Sequence, residues 1–552
     1  MNLPPPPSRC ARWKPDVRPR PERRDAGRNP IKRGIVVLLL LLLTATMEPA
    51  PVAAAEDAAP SDRQTEEGSS GLIADTETRH VLTSGGRELE YVARAGTLTI
   101  PEAGEEGARG RMFYVAYTTE AAAAERPITF VFNGGPGAAA AYLHLGAMGP
   151  RRIEFGEGGR IAPDPGPLVE NDETWLTFTD LVFIDPIGTG YSRSIGPEDE
   201  KREQTSKGDA SAFWETEKDL DTLGAFIRLY LSRNERWLSP TVLAGESYGG
   251  FRVAALADRL HSDFGISVEG IVMISPALEL GLLSSDRFRL LPWITRVPSF
   301  AAAAHHHGRA GPKHGGEADR QPFLEEVERF TIRDLLPGLA EGRSLAESER
   351  SALLGRLAGF VGLPPELVVR HEGKLSLETF AGRLLRDESR IVSLYDASIS
   401  YPAPHGDRYR DPRLSRISAA IVAGFNHYVR ADLGIETDLP YEILNRRVNQ
   451  GWQWRDGSSR SGPPGATDNL ENAFKQNDHL RALLVHGLYD LVTPYYASTY
   501  LLNQLDLPPA LRERIAVRRY EGGHMFYSRD GSRRAFRDDG MRLYGELKRG
   551  DR

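Results

Sequence analysis

Gly245-Glu246-Ser247-Tyr248-Gly249-Gly250 follows the apolar run Thr241-Val242-Leu243-Ala244 and precedes a helical pattern from Phe251 to Leu260. A G-x-S-x-G pentapeptide in that setting is the sequence form of a nucleophile elbow, a strand-to-helix turn so tight that its flanking positions take only glycine. It would hold the Ser247 side chain clear of the backbone at the top of a sheet. A serine hydroxyl is a poor nucleophile until a base takes its proton, so such a site needs a histidine and an orienting acid further along the chain. Without them the stretch is a glycine-rich turn with an ordinary serine.

The C-terminal part supplies both, in the order serine, acid, histidine. Leu483-Leu484-Val485-His486 is a predicted buried strand, followed by a turn, Gly487 to Pro494, that presents Asp490. A helical segment from Tyr495 to Leu505 leads to a second strand, Ile515 to Tyr520, and then to Glu521-Gly522-Gly523-His524-Met525. The paired glycines set His524 on a tight loop. Taken singly, Asp490 could be a helix cap and His524 a surface residue. Of the other histidines, His479 and His486 precede Asp490, and His80, His144, His261, His371, His405 and His427 lack the strand-then-glycine setting. His305, His306, His307 and His314 fall in an Ala/Gly-rich stretch expected to be a solvated loop, with no metal site assigned.

Four blocks together resemble the serine carboxypeptidase family, the cathepsin A-like peptidases: Asn133-Gly134-Gly135-Pro136-Gly137, Asp185 to Ser192, the Gly245 elbow, and the Asp490 and His524 loops. Asn171-Asp172-Glu173-Thr174-Trp175 is similar to a fifth, diverged block. The first block also makes sense by itself. Glycines after the strand Ile128 to Phe132 let backbone N–H groups approach a developing oxyanion. The resemblance implies that the donors are the N–H groups of Gly135 and Tyr248. It further implies recognition of a peptide's free C-terminal carboxylate by Asn133, the Gly134 N–H and Glu246. The match is incomplete: the family's tryptophan falls on Val131, its second glutamate on Ala147, and a usually polar position before the acid on Leu488.

The chain opens with a basic, proline-rich stretch to Arg33, an apolar core from Ile35 to Leu43, and small residues ending Ala53-Ala54-Ala55. This is the pattern of a secretory signal peptide over residues 1–55, too short in its apolar core for a membrane span of about 20 residues. Export to the periplasm or the exterior is expected, with no stable membrane insertion after cleavage. An uncleaved anchor is the alternative. Cleavage would remove ten of the 69 basic residues and four of the 76 acidic ones, leaving a net charge of −13. Such a balance gives no support to nucleic-acid binding. Cys10, the one cysteine, would leave with the signal, so the mature chain would rely on core burial rather than disulfides.

Residues 56–79 are expected to be a flexible linker. Leading antiparallel strands follow from His80 to Ile100 and from Arg111 to Tyr117, then parallel strands at Ile128, Leu181, Thr241 and Val268. The expected fold is α/β, an α/β-hydrolase core over 80–280 and 478–552 with a mostly helical lid inserted at 281–477. Within that insertion Ser344-Leu345-Ala346-Glu347 has the form of a capping box, and Leu377 to Leu394 and Ile417 to Val429 have helical patterns. The expected activity is removal of C-terminal residues from a peptide substrate by Ser247, Asp490 and His524, with no cofactor. An esterase or acyltransferase on the same triad, or a binding protein that kept the fold without turnover, are the alternatives.

Overall fold

The computed structural model describes residues 73–100, 109–120, 126–161, 166–195, 210–284, 286–312, 317–404, 409–454 and 464–547. The signal segment, Cys10, His314, His405 and most of the expected linker lie outside the described residues.

Ten strands make one sheet: β1 (Thr76–Ser84), β2 (Arg87–Ile100), β3 (Arg109–Thr118), β4 (Ile128–Phe132), β5 (Asp180–Ile184), β6 (Arg193–Ile195), β7 (Thr241–Glu246), β8 (Gly270–Ile274), β9 (Arg481–Gly487) and β10 (Ile515–Tyr520). Their order is β1-β2-β3-β5-β4-β7-β8-β9-β10, with β6 added to β3. Pairs from β1 to β5 through β3 are antiparallel, and every pair from β5 to β10 is parallel. An antiparallel lead-in, then parallel strands that step back once at β5-β4 before running on, is the topology of the α/β-hydrolase fold. β1 starts at Thr76, so the last four residues of the expected linker are strand.

The inner parallel strands read as largely apolar runs because both faces are covered, and β4, β7 and β8 are buried at every residue. Alternation then sends neighbours to opposite cores. Val242, Ala244, Val272 and Ile274 join one core, and Leu243, Ile271 and Met273 the other. Helices α1 (Thr216–Arg233) and α2 (Tyr248–Phe264) close the second face with Leu223, Phe226, Val253 and Leu256.

Between β8 and β9 lie α3 (Val297–His306), α4 (Glu317–Phe330), α5 (Glu347–Val361), α6 (Leu377–Arg383), the hairpin Arg390–Val392/Ser400–Pro402, α7 (Arg413–Ala431), α8 (Arg446–Gly451) and α9 (Thr467–Gln476). After β9 come α10 (Tyr495–Gln504) and, after β10, α11 (Asp530–Leu547). The structure divides the 281–477 insertion. Ile417, Ile421 and Phe425 of α7 bury in the first sheet core, and Leu470 and Phe474 of α9 in the second. Among the described residues, the stretch from about Ile294 to Ala397 builds a third core with Phe300, Leu357 and Phe380, which Leu488 and Tyr495 join. An amphipathic stripe predicts a buried face without saying which core receives it.

Three local expectations are corrected. His305 and His306 form the last turn of α3 rather than a solvated loop, because Ala301 to Ala304 have high helix propensity and are fully buried. Leu377 to Leu394 is not one helix: α6 ends at Arg383 and the hairpin strand begins at Arg390. The capping box does not form either. The N-cap of α5 is Ala346, and Ser344 Oγ instead donates to the Glu341 carbonyl.

Candidate active site

Ser247 joins the end of β7 to the start of α2 with φ 62° and ψ −123°, a conformation costly for any residue with a Cβ. Three backbone bonds hold it there: Ser247 N–H to the Ile274 carbonyl (2.9 Å), and the N–H groups of Ala277 (3.0 Å) and Gly250 (2.9 Å) to the Ser247 carbonyl. Gly245 is required by close approach, since a Cβ there would lie 2.1 Å from the Gly249 carbonyl oxygen. Gly134, in the loop after β4, sits against the same turn. Its Cβ would stand 2.5 Å from the Tyr248 nitrogen. Gly134, the neighbour of the expected oxyanion donor Gly135, is thus packed against the Tyr248 nitrogen at the N-terminus of α2, where the helix dipole favours negative charge.

The Asp490 and His524 loops are zipped together by Leu488 N–H to the Tyr520 carbonyl (3.0 Å) and Tyr489 N–H to the Gly522 carbonyl (2.9 Å). Asp490 is fully buried and accepts four hydrogen bonds. Its Oδ1 takes the N–H groups of Val492 (2.8 Å) and Thr493 (3.0 Å), and its Oδ2 takes Thr493 Oγ1 (2.7 Å) and His524 Nδ1 (2.8 Å). Asp490 is therefore both a turn cap and the histidine's partner. With Nδ1 committed as donor, the neutral imidazole keeps Nε2 as its acceptor. Burial by itself would lower the His524 pKa, but the Asp490 charge and hydrogen bond, helped by Glu246, outweigh it and raise it. His144 and His486, also buried, are pushed down to about 3 and stay neutral.

Three residues outside the predicted set fix the histidine loop. Tyr395, in the inserted hairpin, accepts the His524 N–H at its carbonyl (2.6 Å) and turns its ring edge to the imidazole at 5.9 Å. Ser275 Oγ donates to the His524 carbonyl (3.1 Å), and Thr493 Oγ1 lies 2.9 Å from the Ser275 carbonyl. Thr493 has a sequence signal, three residues after Asp490 in the same turn; Tyr395 has none.

Glu246, one residue before Ser247, is buried with Asn133. Asn133 Nδ2 donates to Glu246 Oε2 (2.5 Å), and its Oδ1 accepts the Leu143 N–H (3.1 Å), which fixes the orientation of the amide. Tyr527 OH donates to both Glu246 oxygens, at 2.9 and 3.1 Å. Burial raises the Glu246 pKa to about 7 against the opposing influence of His524, Tyr527 and Asn133.

The departures from the family pattern have packing reasons. Val131 and Ala147 belong to the first sheet core, and Leu488 to the core of the inserted helices. The other two blocks brace the site. Asn171 Nδ2 donates to the Ala147 (2.9 Å) and Gly149 (2.8 Å) carbonyls. Asp185, buried and pushed up to about 7 by that burial, accepts the Ala140 N–H (2.8 Å) and Tyr441 OH (3.3 Å).

Among known families, the serine carboxypeptidase profile matches residues 94–275, a stretch that holds Asn133, Glu246 and Ser247. That match spans 182 of the chain's 552 residues. Two similar curated relatives are the pheromone-processing carboxypeptidase KEX1 of Yarrowia lipolytica, 29% identical over 167 residues, and serine carboxypeptidase-like 41 of Arabidopsis thaliana, 29% identical over 180. The matches cover 30% and 31% of this chain but only 24% and 34% of those proteins. A solved structure of Kex1(delta)p, a prohormone-processing carboxypeptidase from Saccharomyces cerevisiae, aligns with a TM-score of 0.49 and 15% identity over 82% of this chain and 91% of that one. Asp490 and His524 lie beyond the matched residues, so their pairing stands on the geometry described above.

Proposed function

We propose that this chain is a serine carboxypeptidase that hydrolyses C-terminal residues from peptides through an acyl-enzyme. Ser247 attacks the scissile carbonyl, His524 Nε2 takes its proton and returns it to the leaving amine, and Asp490 holds the imidazole. The N–H groups of Gly135 and Tyr248 stabilise the oxyanion, and Asn133, the Gly134 N–H and Glu246 receive the free carboxylate. One observation carries the choice of peptidase. A carboxyl group with its pKa raised to about 7 is bonded to a fixed amide donor, one residue from the elbow serine. Below that pH Glu246 carries the proton that lets it accept a second carboxyl group as neighbour, since two close carboxylates do not both ionise cheaply. An esterase or acyltransferase on the same residues is the alternative, favoured by the apolar surroundings of Val131 and Ala147.

The test compares kcat/KM for matched free-acid and amide peptides as a function of pH. Their ratio cancels the ionisation of His524. It is expected to favour the free acid at acidic pH and to fall about tenfold per pH unit above about 7. In Glu246→Gln the ratio should be flat. A fluorophosphonate should label wild type and not Ser247→Ala. A ratio near one at every pH, with ester cleavage intact, would select the alternative.

Residues 1–55 are proposed as a cleaved signal peptide. N-terminal sequencing of the exported protein should begin near Glu56, and a full-length membrane-bound product would refute cleavage. Among the described residues no helix is long and apolar enough to cross a membrane. The stretch with its own core, about Ile294 to Ala397, is proposed as the lid, anchored to the histidine loop at Tyr395.

A further inference from the structure

We infer that Tyr527 is the positioning residue of the carboxylate subsite: its hydroxyl, donated into Glu246, holds that carboxyl group in place and sets the pH at which it stops accepting a substrate carboxylate. The inference rests on the proposed reading of Asn133 and Glu246 as carboxylate readers.

The position that would carry a second glutamate is Ala147, which offers no polar group. The space beside it is not empty. The Tyr527 ring lies against Gly146, where a Cβ would stand 2.6 Å from ring carbon Cε2. Only a residue without a side chain at 146 leaves room for that ring. From there the phenol reaches both Glu246 oxygens, at 2.9 and 3.1 Å, while Asn133 Nδ2 takes Oε2. Tyr527 follows His524 by three residues in the one-turn helix Phe526–Ser528, so the loop that places the base also places this donor.

A phenol differs from a carboxyl group in this role. Burial, and then the Glu246 charge, push the Tyr527 hydroxyl well above its ordinary range, so it remains a donor at every working pH. The subsite therefore contains one group that titrates near neutrality, not two sharing a proton. The other groups facing Glu246 are His524 and Asp490 from the catalytic loops, with Tyr142 and Tyr395 contributing from the turn after β4 and from the inserted hairpin. Arg413 acts on Tyr527 from α7. Tyr527 OH favours the ionised form of Glu246 against burial. Removing it should leave the carboxyl group protonated to higher pH.

The test is Tyr527→Phe, which keeps the ring against Gly146 and deletes only the donor. The free-acid to amide ratio of kcat/KM is followed across pH in wild type, Tyr527→Phe, Glu246→Gln and the double variant. The midpoint of the fall in Tyr527→Phe should move up by about one pH unit, the order of one lost hydrogen bond to a charged acceptor. The double variant should be as flat as Glu246→Gln. A purely structural role would lower free-acid and amide turnover together without moving the midpoint, and that result overturns the inference. So does a midpoint shifted to lower pH. A wild type with no free-acid preference at any pH would instead remove the carboxypeptidase reading itself.

Discussion

Replacing Asp490 with asparagine tests the Asp-His arrangement through its hydrogen bonds. Oδ1 accepts two backbone N–H groups, and the asparagine oxygen can keep both. That pins the amide, so its NH2 must take the place of Oδ2, where His524 Nδ1 and Thr493 Oγ1 now donate. Thr493 can adapt, because its hydroxyl also lies 2.9 Å from the Ser275 carbonyl and can donate there. His524 cannot keep its tautomer. Facing a donor, Nδ1 becomes the acceptor and the proton moves to Nε2, the atom proposed to receive the serine proton. The expected loss in kcat is about 10⁴-fold, about 5 kcal/mol of transition-state stabilisation. The fold should survive, since the backbone bonds between the two loops are untouched, with a cost of about 1–2 kcal/mol for the weakened bond.

The pH profile gives an independent check with a definite sign. On the proposed mechanism His524 works as the base only when neutral, so its raised pKa should put the acidic limb of kcat/KM above the usual histidine value of 6.5. Without the Asp490 charge, burial is opposed by Glu246 alone, and the imidazole pKa falls. The acidic limb of the residual activity should then move to lower pH. The assay is kcat/KM against pH on an amide peptide, where Glu246 has no carboxylate to read, together with circular dichroism and thermal melting. A folded Asp490→Asn protein within about 100-fold of wild type, or one whose acidic limb does not move, would refute the assigned role.

Gly245→Ala places a methyl group 2.1 Å from the Gly249 carbonyl oxygen, a backbone atom that cannot swing aside. It should cost about 1–3 kcal/mol in chemical denaturation and, by displacing the elbow by about 1 Å, about 100-fold in kcat. Leu488→Asp introduces a polar side chain at a position that is 6% exposed inside the core of the inserted helices. It should lower stability by at least about 3 kcal/mol, from lost apolar burial and an unpaired carboxyl group, and a melting curve close to wild type would refute the packing argument.

The strand-to-helix turn at Ser247, the loops after strands that carry Asp490 and His524, and most core strands were legible in the sequence because each depends on a local pattern. An apolar run, a glycine flanked by a serine, and a period of two or 3.6 are readable within about ten residues. β4 and β10 begin and end where the pattern predicts. Tertiary structure decided what depends on distant partners. The phenol on Glu246 comes from 281 residues away, and nothing near Tyr527 in sequence marks it as a partner for that carboxyl group. Leu488 is a departure from a motif when read along the chain and a core residue when the inserted helices close over it. The insertion looked uniform because a helical stripe specifies only that one face is buried. Whether α7 covers the sheet while α3 and α5 pack on each other is set by long-range packing, which a local pattern does not encode.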